Sequence, residues 1–145
     1  MVATNSYNGG CHCGAIRITY RSALPATDHV LRACQCTFCR KHASRAVSDP
    51  DGLTEVTILD GMKMSPYRFG FRTADYIVCR ECGVYVAAVM SESDRAWSVT
   101  IVNALEDAGE FTGAATPVDF SDEKEEERLA RRRSRWTPTI FARHA

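Results

Sequence analysis

No stretch of the 145-residue chain approaches the ~18 consecutive apolar residues of a membrane-spanning helix, and Met1 to Asn8 carries neither the basic cluster nor the apolar run of a secretory leader. Neither sign of charge is in excess, since 18 basic side chains face 18 acidic ones. A general polyanion binder is therefore not expected, although a local basic patch stays open. Repeats, low-complexity linkers and heptads are missing too, which excludes collagen and a coiled coil and leaves no sign of a second domain. With 45% of its residues hydrophobic, the chain has enough apolar surface to escape disorder and to fold without disulfide staples. The expectation is one domain over residues 1–145, soluble and cytoplasmic, with neither nucleic acid nor membrane as partner and with its oligomeric state open.

One residue type is over-supplied. Seven cysteines cannot form a closed set of disulfides, and in a reducing compartment such a count points first to metal. They fall in three tight groups: Cys11 and Cys13 in Gly-Gly-Cys-His-Cys-Gly, Cys34, Cys36 and Cys39 in Cys-Gln-Cys-Thr-Phe-Cys, and Cys79 and Cys82 in Cys-Arg-Glu-Cys-Gly.

Around these groups the apolar residues recur with period two, at Ile16, Ile18 and Tyr20, at Tyr67, Phe69 and Phe71, and at Trp97, Val99 and Ile101, as half-buried strands do. Val84 to Met90 is continuously apolar and reads as a strand buried on both faces. Breakers at Ala23-Leu24-Pro25, Asp49-Pro50-Asp51-Gly52, Asp60-Gly61, Ser65-Pro66 and Ala108-Gly109 separate the runs, so the fold class is mainly β. Residues 119–135 differ. Ser121 is placed to cap a charged helix with Asp122 and Glu123 in its first turn, Arg131, Arg132, Arg133 and Arg135 in its last, and Glu127 four residues before Arg131. This arginine group reads as a solvated face whose charges are complemented within the helix.

Structural zinc takes four ligands tetrahedrally, and two short-spaced cysteine pairs are a common way to supply them. Cys79-x-x-Cys82 followed by Gly83 is one such half, the glycine permitting a turn with φ > 0. Cys11-x-Cys13 is tighter, and Gly9, Gly10 and Gly14 supply the backbone freedom to bend both side chains toward one ion. Joining the pairs closes a long loop, so metal binding would contribute directly to folding. Cys34, Cys36 and Cys39 have no fourth cysteine. Three protein ligands and one open position suit a catalytic zinc. His42 could instead close a Cys3His structural site, and Cys36 and Cys39 form a Cys-x-x-Cys pair able to cycle as a disulfide. Arg32, Arg40, Lys41 and Arg45 surround the triplet with no acid before Asp49, which would suit an anionic substrate. His12 and His29 receive no role, Tyr67, Phe69, Tyr76 and Tyr85 read as core or pocket rim, and Trp97 and Trp136 read as packing.

In the order Gly10-Cys11-His12-Cys13-Gly14, Cys34-Gln35-Cys36-Thr37-Phe38-Cys39 and Cys79-Arg80-Glu81-Cys82-Gly83, residues 8–113 resemble the glutathione-dependent formaldehyde-activating enzyme family, which includes the centromere protein V type domain. The resemblance implies an Mss4-like fold of short antiparallel strands around two zinc sites. Cys11, Cys13, Cys79 and Cys82 would hold the structural ion and Cys34, Cys36 and Cys39 the catalytic one. The implied activity is that of a carbon–sulfur lyase reversibly joining glutathione to formaldehyde as S-hydroxymethylglutathione. A non-catalytic zinc-stabilised binding module is the alternative. The chain departs from the family pattern at Val78, where members often carry Phe, and at His42-Ala43-Ser44-Arg45, where they carry a small Gly-Ala stretch.

Overall fold

The computed structural model describes residues 4–143; Met1, Val2, Ala3, His144 and Ala145, at the ends of the expected domain, lie outside the described residues. The expected period-two runs become strands. Ile16, Ile18 and Tyr20 lie on β2 (Ile16–Ser22), which pairs antiparallel with β1 (Asn5–Gly10) on one side and β5 (Leu53–Ile58) on the other. Trp97, Val99 and Ile101 lie on β9 (Arg95–Ile101). Tyr85 to Met90 opens β8 (Tyr85–Glu92), with six successive buried residues, because cores pack against both its faces. Val86, Ala87 and Val89 join the core of Ile16, Ile18, Tyr20 and Val56, whereas Tyr85, Ala88 and Met90 join a second core with Trp97 and Trp136.

A mixed sheet connects these elements. From β2 and β5 it continues through β11 (Thr137–Arg143) to β9, and then through β4 (Ala46–Val47) and β3 (Arg32–Cys34) to β10 (Thr116–Val118). A branch leaves β9 through β8 and β7 (Asp75–Cys79) to β6 (Met64–Tyr67). Two pairings, β11 with β5 and β10 with β3, are parallel, so the expectation of antiparallel strands is corrected to a mixed sheet. Strand β11 closes the sheet: Thr137 and Pro138 pair with β9, and Thr139 to Arg143 with β5.

Three local expectations are corrected. Ser65-Pro66 lies inside β6, whose one sheet partner is β7; an edge strand tolerates a residue without an N–H. The run Tyr67, Phe69, Phe71 leaves the sheet after Tyr67, and the following residues turn around Gly70 and Arg72, both at positive φ. The C-terminal helix α2 (Glu125–Arg135) starts after Lys124 rather than Ser121; Glu127 accepts the Lys124 N–H at 2.9 Å and is thereby drawn from the expected pairing with Arg131. Glu123, just outside the helix, takes that role and binds Arg128 and Arg131. Its arginine face is not simply solvated, since Arg132 is only 5% exposed and lies over the ring of Trp136, a member of the second core.

Candidate metal centres and the adjoining pocket

Turns bring the first four cysteines together. Cys11 and Cys13 follow β1 in the turn to β2, and Cys79 ends β7 with Cys82 in the turn that leads on to β8. Gly83 takes φ +80° and donates its N–H to Cys79 O at 2.9 Å, and Gly14 takes φ +87°; a Cβ would strain both turns. The Sγ atoms of Cys11 and Cys13 are 3.7 Å apart, those of Cys13 and Cys79 3.6 Å, and all four lie within 4.8 Å of one another. Tetrahedral zinc with bonds of about 2.3 Å would hold its sulfurs about 3.8 Å apart, so the donor set and spacing fit zinc. Backbone N–H groups of Ile16 and Cys82 point at the sulfurs of Cys11 and Cys79, at 3.2 and 3.5 Å. Burial pushes the Cys11 thiol up to about 11. Burial also acts to raise Cys82, but donation from the backbone of Cys13 and Val84 and from the Cys79 thiol brings it down to about 6.

The second cluster is built on a tight strand-to-helix turn. Cys34 ends β3, Cys36 caps the short helix α1 (Thr37–His42) by accepting the Cys39 N–H at 3.3 Å, and Cys39 sits one turn in and is buried. Their three sulfurs also lie within 4.8 Å of one another, a spacing and donor type suited to zinc. Hydrogen bonds from the thiols of Cys34 and Cys39 draw Cys36 down to about 2, and the two donors are raised correspondingly. Phe38 locks the helix in place; its ring centroid is 5.0 Å from those of both Tyr76 and Tyr85 and 5.4 Å from that of Phe69. His42 is not among the converging ligand atoms. Exposed at the helix end, its ring lies tilted against Phe38, the centroids 4.6 Å apart, so the closed Cys3His set is not what the structure brings together.

The two clusters differ in what they face. Cys34, Cys36 and Cys39 line a cavity of about 360 Å³, within the range of small-molecule sites. One wall is aromatic and aliphatic, with Phe69, Tyr76, Tyr85, Val99, Ile101 and Trp136. Burial pushes Tyr76 up to about 12 and Tyr85 well above the usual tyrosine range, so both stay protonated at neutral pH. The rest of the lining comes from Arg32, the segment after β10 with Asp119, Phe120 and Ser121, and the α2 residues Arg128, Arg131 and Arg132. Of the basic residues flanking the triplet, Arg32 reaches this cavity, while Arg40 and Lys41 are exposed on α1. The α2 arginines were not anticipated from sequence. Their signal was spacing, since Leu129, Arg132 and Trp136 fall on one helical stripe. His29 is structural: it is buried, with Nε2 2.9 Å from the Tyr20 hydroxyl and Nδ1 2.9 Å from Pro25 O.

A mainly β chain with a four-thiol and a three-thiol cluster, each able to hold a metal ion, is the class that fold and site define. Residues 6–118 match the family model described as glutathione-dependent formaldehyde-activating enzyme. The chain belongs to that family. Among solved structures it is similar to a Rhodobacter sphaeroides protein, at 27% identity and a TM-score of 0.56 over 77% of this chain and 99% of that one. Helix α2 and strand β11 lie beyond the family-matched residues. Among the described residues no helix is long and apolar enough to cross a membrane.

Proposed function

We propose that the protein is a zinc-dependent carbon–sulfur lyase that reversibly joins a small thiol such as glutathione to formaldehyde. Cys11, Cys13, Cys79 and Cys82 hold a structural zinc, and Cys34, Cys36 and Cys39 a catalytic one. The observation that carries this reading is that the three-thiol cluster, one ligand short of a closed site, lines a cavity of small-molecule size. In the addition direction the thiol sulfur forms a bond to the aldehyde carbon while its proton passes to the carbonyl oxygen, and the reverse step cleaves that carbon–sulfur bond. A zinc held there would favour the thiolate form of the substrate or polarise the aldehyde. The chain's own residues do the rest. Phe69, Tyr76, Tyr85 and Trp136 keep bulk water from the adduct, and the protonated Tyr76 and Tyr85 stand in the cavity lining as neutral hydrogen-bond donors. A reducing compartment such as the cytoplasm preserves all seven thiols, which are free in the fold.

The test is NMR exchange between formaldehyde hydrate and S-hydroxymethylglutathione. The zinc-loaded protein accelerates exchange over the uncatalysed rate if the reading holds; no acceleration removes this substrate pair.

A further inference from the structure

Four arginines line the cavity beside the cysteine triplet, but their charges are not used alike. Arg131 places Nε and Nη2 on the two oxygens of Glu123, at 2.7 and 3.1 Å, with its guanidinium 3.6 Å from the Phe120 ring centroid. Arg128 shares the same carboxylate at 3.1 Å and donates to Phe120 O at 2.8 Å. Glu123 is thereby committed. Arg132 and Arg32 form no ion pair among the described residues. Arg132 is 95% buried, its Nη1 donates to Thr73 Oγ1 at 2.8 Å, its face rests 4.7 Å from the Trp136 ring centroid, and its Nε has no acceptor among the described residues. Arg32 donates to Ser48 Oγ at 2.7 Å. Burial pushes both guanidiniums downward, as expected of cations drawn from water without a counter-charge. The remaining acid on the wall, Asp119, is exposed and accepts the Ser121 N–H.

A buried guanidinium with an orphan donor is costly unless something supplies an anion. The zinc–thiolate triplet would carry about one negative charge, fewer than the two free arginines. Arg32 and Cys34, two residues apart on β3, project from one face of the strand and both line the cavity, so a ligand whose sulfur meets the triplet brings its far end to the arginine wall. We propose that this wall is a carboxylate-binding subsite, with Arg132 and Arg32 as its donors, and that the thiol accepted by the triplet carries a carboxylate away from its sulfur. The subsite rests on the lyase reading for its thiol, but not for its anion. Arg32 lies within the family-matched residues and Arg132 beyond them, so the C-terminal helix supplies one of the two donors.

Calorimetry on the zinc-loaded protein separates the two claims. S-methylglutathione keeps both carboxylates but has no free thiol, and its diethyl ester has neither. Arg132→Gln and, should that variant not fold, Arg32→Gln should weaken S-methylglutathione and glutathione binding tenfold or more, leave the diester unchanged, and recover most affinity as Arg132→Lys. Equal losses for acid and diester, or no loss for S-methylglutathione in the folded variants, overturn the subsite. Arginine-dependent binding of both acids with no catalysed formaldehyde exchange supports the subsite and removes the glutathione–formaldehyde pair alone.

Discussion

The sulfurs of Cys13 and Cys79 lie 3.6 Å apart although 66 positions separate them in the chain. This contact joins the β1–β2 turn to the β7–β8 turn and closes most of the sheet between them. A cross-link of that loop length is worth about 4 kcal/mol in chain entropy alone. Cys82→Ser, which removes one of the four converging thiols, should therefore lower unfolding stability by at least about that amount and abolish the cooperative transition in denaturant melts. A variant that melts like the wild type would remove the structural role assigned to this cluster.

Phe38→Ala tests how the second cluster is held. The ring touches Tyr76, Tyr85, Phe69 and His42 and anchors the helix between Cys36 and its C-terminus. Its loss should cost about 2–3 kcal/mol, below the range for a fully buried phenylalanine because the side chain is half-buried. The weaker anchoring should also lower zinc affinity at the triplet, measured by competition with a chromogenic chelator, and leave the four-thiol site unchanged.

Much of this arrangement is legible in the sequence, for identifiable reasons. Cysteine spacing is a local signal with few alternatives, so the division into four and three could be read without a structure. The strands around Ile16, Ile18 and Tyr20 and around Trp97, Val99 and Ile101 have one face toward a core, which writes the period into the chain. Strand β11 carries no such mark, because Thr137-Pro138 opens it and its parallel partner β5 lies some eighty positions upstream. The arginine wall was hidden for a different reason. Charged residues in an amphipathic helix normally face water, and Arg132 sits on the buried stripe with Leu129 and Trp136. Glu123 precedes the helix and clamps two of its arginines, a relation that i,i+4 counting within the helix does not find.

That clamp gives a pH dependence with a definite sign. Arg131 first, and Arg128 with it, hold the Glu123 carboxyl below the usual carboxylate range. A lowered folded-state value means that the clamp's contribution is complete above the unfolded value of about 4.3 and is lost as the pH falls through the folded one. Glu123→Gln should thus be less stable than the wild type by about 1 kcal/mol at pH 7, with the difference shrinking as the pH falls through the lowered folded-state value. Comparing the two proteins in parallel urea melts cancels acid effects on the cysteines; a pH-independent difference would contradict the clamp.

On the proposed reading the seven thiols make two metal sites, one for the fold and one for the cavity. Native mass spectrometry of the wild type and of Cys36→Ser tests it most directly. Two zinc ions are expected on the wild-type chain and one on Cys36→Ser, with the variant keeping a compact charge-state distribution. One ion on the wild type, or a Cys36→Ser chain that unfolds or retains both ions, would contradict it.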